Sequence, residues 1–138
     1  MTGPEVGKRL LVVDDNEGMV ATLEDILGAA GYCIDVAYSG HEAVERVKQR
    51  QPDGILMDIR MPGMNGVEAF REIKRLSPES FVIFMTAYAA SALVEDAKQE
   101  GAIEVIAKPL DLQYVMALII RTIRQAVERG RRRPEPQG

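Results

Sequence analysis

Three carboxylates, a hydroxyl and an ammonium stand at the ends of short apolar runs in this chain. Asp14 and Asp15 follow LLVV, Asp58 follows GILM, Thr86 follows FVIFM and Lys108 follows EVIA. Clustered carboxylates repel one another, which is costly unless a cation sits among them. Their oxygen donors suit a hard ion. With few carboxylates and an open edge, Mg²⁺ that keeps several waters fits best, and Mn²⁺ is the alternative. A plainer reading makes Asp14-Asp15 acidic helix caps, but it explains neither Asp58 nor Lys108. Lys108 can likewise be a simple charge partner for a buried carboxylate. Yet a lysine, a small hydroxyl and a divalent ion around a carboxylate are also what a moving phosphoryl group requires. Its equatorial oxygens need positive charge and hydrogen-bond donors. A carboxylate can then act as nucleophile and become an aspartyl phosphate. No glycine-rich phosphate loop of the GxxxxGKS/T or GxGxxG type is present, so the phosphoryl donor should come from elsewhere.

Residues up to 94 positions apart can meet only if the fold brings their strand ends together. The apolar runs are RLLVV (9–13), YCIDVAY (32–38), DGILM (53–57), FVIFM (81–85) and IEVIA (103–107). They are short and rich in Val and Ile, as parallel strands buried on both faces tend to be. Between them lie stripes with a period of three to four. Met19/Val20, Leu23, Ile26/Leu27 and Ala30 form one, closed by Gly31. Val67, Phe70, Ile73 and Lys74/Leu76 form another, stopped by Ser77-Pro78. Val115, Leu118/Ile119, Thr122 and Ala126 form a third. Ser39 with Glu42, and Asn65 with Glu68, have capping-box spacing, and Asp111 can cap the last helix. The alternation predicts a (βα)5 unit: a doubly wound α/β domain with a parallel five-stranded sheet and right-handed crossovers. The carboxyl ends of such strands share one edge, where ligands bind.

Composition narrows the classes. With 138 residues, 46% hydrophobic and 28% charged, the chain suits one ordinary globular domain. No run approaches the length of a membrane span, and MTGPEVGKR has no apolar signal segment, so a cytoplasmic chain is expected. The single cysteine, Cys33, excludes an internal disulfide and reads as a small core residue. His41, the only histidine, stands at a helix start and reads as a surface residue. Residues 1–128 carry 20 acids against 13 bases, which argues against nucleic-acid binding by this domain. Residues 1–7 and the basic, Pro-containing segment 129–138 are expected to be a disordered lead and a tail or linker around a domain at 8–128. The last helix is apolar on two sides. Its second stripe, Met116/Ile120/Ile123/Val127, has no assigned partner and offers a homodimer face or the start of a linker, if it is not simply part of a wide buried stripe.

LLVVDDNE, DGILMDIRMPGMNG, FVIFMTAY and GAIEVIAKP, in this order, resemble the receiver domain of bacterial two-component response regulators. The resemblance covers about residues 8–127. It implies a flavodoxin-like strand order, 2-1-3-4-5. It implies that Asp58 takes a phosphoryl group from a phosphohistidine on a histidine kinase or histidine phosphotransfer protein. Asp15 and Asp58 would ligate Mg²⁺ directly with the Arg60 backbone carbonyl, and Asp14 through water. Lys108 would contact the phosphoryl oxygens, Thr86 would turn toward them, and Pro109 would follow a cis peptide. The edge near Asp58 and the first helix (Gly18, Met19, Thr22) would receive the donor.

Two features depart from or vary within that pattern. Many relatives carry Tyr or Phe three residues before the lysine, where this chain has Val105, so the aromatic part of the switch is missing. Arg60 and Tyr88, two residues after Asp58 and Thr86, are bulky and can hinder an attacking water, which predicts slow self-dephosphorylation. Two readings follow: a stand-alone phosphorelay-type receiver that passes the group on, or a receiver cut from a longer transcription factor or hybrid kinase. A receiver-like module that binds partners without phosphorylation fits poorly with the intact acidic set.

Overall fold

A computed structural model describes residues 7–132. Five strands, β1 (Arg9–Val13), β2 (Cys33–Ala37), β3 (Gly54–Asp58), β4 (Phe81–Thr86) and β5 (Glu104–Ala107), alternate with five helices. The helices are α1 (Glu17–Ala29), α2 (Gly40–Gln49), α3 (Gly66–Leu76), α4 (Ala92–Gln99) and α5 (Leu112–Arg132). All strand pairs are parallel, in the order β2-β1-β3-β4-β5. Both the (βα)5 architecture and the order implied by the resemblance are present.

The apolar runs are continuous because the sheet is covered on both sides. Along β1, Leu10 and Val12 face a core shared with Val20, Leu23 and Leu27 of α1 and Val115, Leu118 and Ile119 of α5. Leu11 and Val13 face the other core, with Val44 of α2, Phe70 of α3 and Val94 of α4. Strands β3 and β4 alternate in the same way, with Leu56, Ile83 and Met85 on the first side and Met57 and Phe84 on the second. Burying a side chain of this size contributes about 1.5–3 kcal/mol, so the two-sided packing fixes register strongly.

That register sets the functional edge. Val13 pairs with Met57, Asp58 with Met85 and Thr86 with Ala107. The three central strands and β5 therefore stop within a residue or so of one another. Beyond β3, Gly63 takes φ +75°, and Gly66 N–H donates to the Ile59 carbonyl at 2.7 Å. A Cβ on Gly66 would collide with the Asp58 carbonyl oxygen and crowd Ile59 Cα, so only glycine lets α3 start this close to the strand end.

Helix starts follow the sequence, with one adjustment. Asn65 and Glu68 exchange both bonds of a capping box. Ser39 accepts from Glu42 N–H, but Glu42 reaches back to Tyr38 N–H instead of the cap's own. Asp111 accepts from Tyr114 N–H at 3.2 Å. Helix α1 is capped by Asn16, whose Oδ1 accepts from Met19 N–H. Asp14 and Asp15 are thus not the caps of α1.

One expectation needs correction, and one open alternative is decided. Cys33 is exposed, not a core residue, because it opens an edge strand that has β1 as its only neighbour. The second stripe of α5 is largely partnered. Ile123 is 3% exposed, and Met116 and Val127 pack against the same core, because α5 lays a wide face on the sheet. Ile120 alone of that stripe stays half-buried outside the core clusters. His41 is exposed, as expected. Helix α5 continues to Arg132, past the domain end expected at 128. The expectations for residues 1–6 and 133–138 lie outside the described residues. No helix among the described residues is long and apolar enough to cross a membrane.

Candidate functional site: an acidic pocket at the carboxyl edge of the sheet

The five singled-out side chains come from four strand ends, and the structure places them at one edge. One carboxylate oxygen each from Asp14, Asp15 and Asp58 lies within 4.8 Å of the others. Lys108 Nζ lies 2.7 Å from Asp14 Oδ2 and 3.6 Å from Asp58 Oδ2. Asp14 is fully buried and Asp58 nearly so, at 6% exposure, whereas Asp15 is exposed. Thr86 is buried at the end of β4, and its carbonyl accepts from Lys108 N–H at 2.8 Å. The Lys108–Pro109 peptide is cis, as the resemblance implies.

The charges do not balance. One ammonium faces three carboxylates. Burial, followed by the field of Asp14, pushes the Asp58 carboxyl up from 3.8 to about 6. Lys108 and a hydrogen bond from the Arg60 backbone N–H pull it down, and Asp15 adds a further upward push. Burial works to lower the Lys108 ammonium, but the hydrogen bond to Asp14 and the field of Asp58 outweigh it, so the net shift is upward. Lysine therefore stays charged while Asp58 resists ionising. A divalent cation among these oxygens would reverse that resistance, so the donor set fits a hard ion such as Mg²⁺.

Two contacts at the mouth were not foreseen. Thr86 Oγ1 accepts from Tyr88 N–H at 3.0 Å. The Arg60 guanidinium lies over the Tyr88 ring, 4.9 Å from its centroid. The sequence did carry a signal. Arg60 and Tyr88 sit at equal offsets after Asp58 and Thr86, and β3 and β4 are neighbours in parallel register, so a cation and an aromatic end side by side. The sequence also left open whether Lys108 serves a carboxylate or a phosphoryl group; here it rests on Asp14 with Asp58 within reach.

This is a doubly wound α/β domain whose acidic pocket lies off the carboxyl ends of its strands, where such sheets hold their ligands. The sequence model of the response regulator receiver domain matches residues 10–120, and the chain belongs to that family. It is 43% identical over 112 residues to the chemotaxis protein CheY of Thermotoga maritima, covering 80% of this chain and 93% of that one. It is 32% identical over 110 residues to the sporulation initiation phosphotransferase F of Bacillus subtilis, covering 80% and 89%. It is also 33% identical to the transcriptional regulatory protein ZraR of Salmonella typhimurium, covering 91% of this chain but 28% of that longer protein. Among solved structures, the CheX-CheY-BeF3-Mg²⁺ complex of Borrelia burgdorferi aligns with a TM-score of 0.78 and 32% identity, covering 85% of this chain and 90% of that one. The chain is thus a receiver domain, the phosphoacceptor module of two-component signalling.

The Asp58 shift makes stability depend on pH. A carboxyl whose folded pKa is raised favours the fold while it is protonated, and that contribution is lost as pH rises through about 6. Without divalent ions, Asp58→Asn should therefore be more stable than the parent at about pH 8, by about 1–2 kcal/mol after allowing for solvent screening. The difference should shrink toward zero by about pH 4, where both side chains are neutral. Urea unfolding at the two pH values checks this, and a variant less stable at the higher pH would contradict it.

Proposed function

We propose that Asp58 is the phosphoacceptor of this receiver and that Lys108, Thr86 and a divalent ion serve its reaction. The observation that carries the assignment is the position of Lys108 Nζ between Asp14 and Asp58, beside three carboxylates within 4.8 Å. A carboxylate oxygen of Asp58 attacks the phosphorus of a phosphohistidine on a histidine kinase or histidine phosphotransfer protein. The P–N bond breaks, its electron pair returns to the imidazole nitrogen, and an acyl phosphate remains on Asp58. Lys108 offsets charge on the phosphoryl oxygens, and the Thr86 hydroxyl donates to one of them.

Asp15, Asp58 and the Arg60 backbone carbonyl would hold Mg²⁺ directly, with Asp14 acting through water; Mn²⁺ can take the same donors. When bound, the ion neutralises charge that otherwise opposes ionisation of Asp58 and approach of the phosphoryl group. Oxygen-only donors and the raised carboxyl of Asp58 support this site. The protein turns over no separate substrate. It promotes its own phosphorylation and slow hydrolysis, so it is a signalling component rather than an enzyme. The cytoplasm, where a histidine kinase presents its phosphohistidine, is the location in this reading.

The CheY and phosphotransferase relatives, covered to 93% and 89% of their length, support one reading, a receiver that passes its group on. The ZraR relatives support a second reading, a receiver that controls an output domain in a longer protein. In either case the domain proper spans about 8–128, and α5 carries on from it. Self-association through α5 would rest on Ile120, since Met116, Ile123 and Val127 face the core.

Acetyl phosphate or a phosphohistidine donor with Mg²⁺ should label the parent and leave Asp58→Asn unlabelled; chelating the metal should also remove most of the label. Equal labelling of the variant would overturn the assignment. Arg60 and Tyr88 add bulk beside the acceptor whether or not they stay stacked, so the phosphoryl half-life should shorten in Arg60→Asn/Tyr88→Glu. An unchanged half-life would show that the pair does not protect the acyl phosphate.

A further inference from the structure

We infer that Tyr88 reports phosphorylation in this chain, in place of the aromatic that position 105 lacks. The inference rests on Asp58 being the phosphoacceptor. Tyr88 has two tethers. Its backbone N–H is held by Thr86 Oγ1, and its ring by the Arg60 guanidinium. Both tethers are groups that a phosphoryl dianion on Asp58 attracts: a hydroxyl able to donate, and a guanidinium suited to charge-assisted bonds. A cation over an exposed ring is held less firmly than one bonded to an anion. When Thr86 and Arg60 turn to the phosphoryl oxygens, Tyr88 loses its backbone acceptor and its ring partner together. Tyr88 is already 61% exposed, so its ring moves without opening a cavity in the core.

The helix that follows is held unevenly. Ser91, the N-cap of α4, makes no side-chain capping bond, and its Oγ is buried without a hydrogen-bond partner. An uncapped start resists displacement less than a capped one, and a new arrangement can satisfy the orphan oxygen. The opposite end is clamped to α3. Lys74 Nζ bonds the Glu100 carboxylate at 2.7 Å and the Glu100 carbonyl at 2.9 Å, and Arg71 Nε bonds the carboxylate at 2.8 Å. Release of Tyr88 therefore shifts the β4–α4 loop and the first turn of α4 about a fixed C-terminal end. Val105 on β5 packs against the core and has no ring to swing.

The chain contains no tryptophan, so Tyr88→Trp supplies a single indole emitter. Acetyl phosphate with Mg²⁺ is the phosphodonor, and intact mass on the same sample gives the fraction phosphorylated. Acrylamide quenching of the indole should rise on phosphorylation, by about half at most since position 88 is already 61% exposed, because the ring leaves the guanidinium. Adding Thr86→Ala should raise quenching before phosphorylation and shrink the further change. In the unsubstituted protein, hydrogen exchange read by NMR should show Tyr88 N–H losing protection on phosphorylation while Glu100 N–H keeps its own. A phosphorylated protein with unchanged quenching and unchanged Tyr88 exchange overturns this inference and leaves Asp58 standing as acceptor. A parent that gains no phosphoryl mass overturns both.

Discussion

The site depends on an excess of negative charge that the protein itself does not neutralise. Lys108 is shared between Asp14 and Asp58, and Asp15 has no cation of its own among the ion pairs of the described residues. A fold under selection for stability alone would separate these groups or pair them, since like charges in a partly buried site cost free energy. Here the imbalance falls on Asp58, whose carboxyl is pushed up to about 6. The same imbalance makes the pocket receptive to a divalent ion. It also means that ionisation of Asp58 can be governed by what enters the pocket. Lys108 and Asp14 hold the geometry, and the remaining positive charge must come from outside the chain.

Parallel register is the constraint that converts scattered residues into a pocket. Two-sided burial fixes how β1, β3, β4 and β5 align, and the alignment leaves Asp14, Asp58, Thr86 and Lys108 at one edge. A one-residue slip in β3 would turn Ile55 and Met57 to the wrong core and swing Asp58 off the edge. Stability and function are coupled here through register, not through direct contact. The tight approach of α3, allowed by Gly66, confines the loop that carries Arg60 between the end of β3 and the start of α3.

Much of this was legible in the sequence because it rests on period and position. Val- and Ile-rich runs ending in Asp58, Thr86 and Lys108 specify both the strands and their polar tips. Asn65-x-x-Glu68 specifies a helix start that the structure reproduces bond for bond. What escaped depends on side-chain direction and on the third dimension. Cys33 looked like a core residue because an apolar run does not reveal that its strand is at an edge. Whether Met116, Ile123 and Val127 find partners stayed open, because the width of the α5 contact is set by how the helix sits on the sheet. Asp14-Asp15 could be read as caps until Asn16 was seen to do that work. The Arg60–Tyr88 contact requires knowing that β3 and β4 are adjacent, which local pattern does not supply.

The mouth of the pocket joins these themes. Thr86 and Arg60 are each engaged with Tyr88, one through its backbone N–H and the other through its ring. Chemistry at the strand ends and shape at the β4–α4 loop are thereby linked through one residue. All of it presupposes an Asp58 carboxyl that ionises only as pH rises through about 6. The direct measurement is a site-resolved ¹³C NMR titration of that carboxyl with and without Mg²⁺. The account predicts a midpoint near 6 in the metal-free protein, and a fall of at least about one pH unit when the ion is added. A midpoint near the ordinary aspartate value of about 4 in both conditions would contradict it.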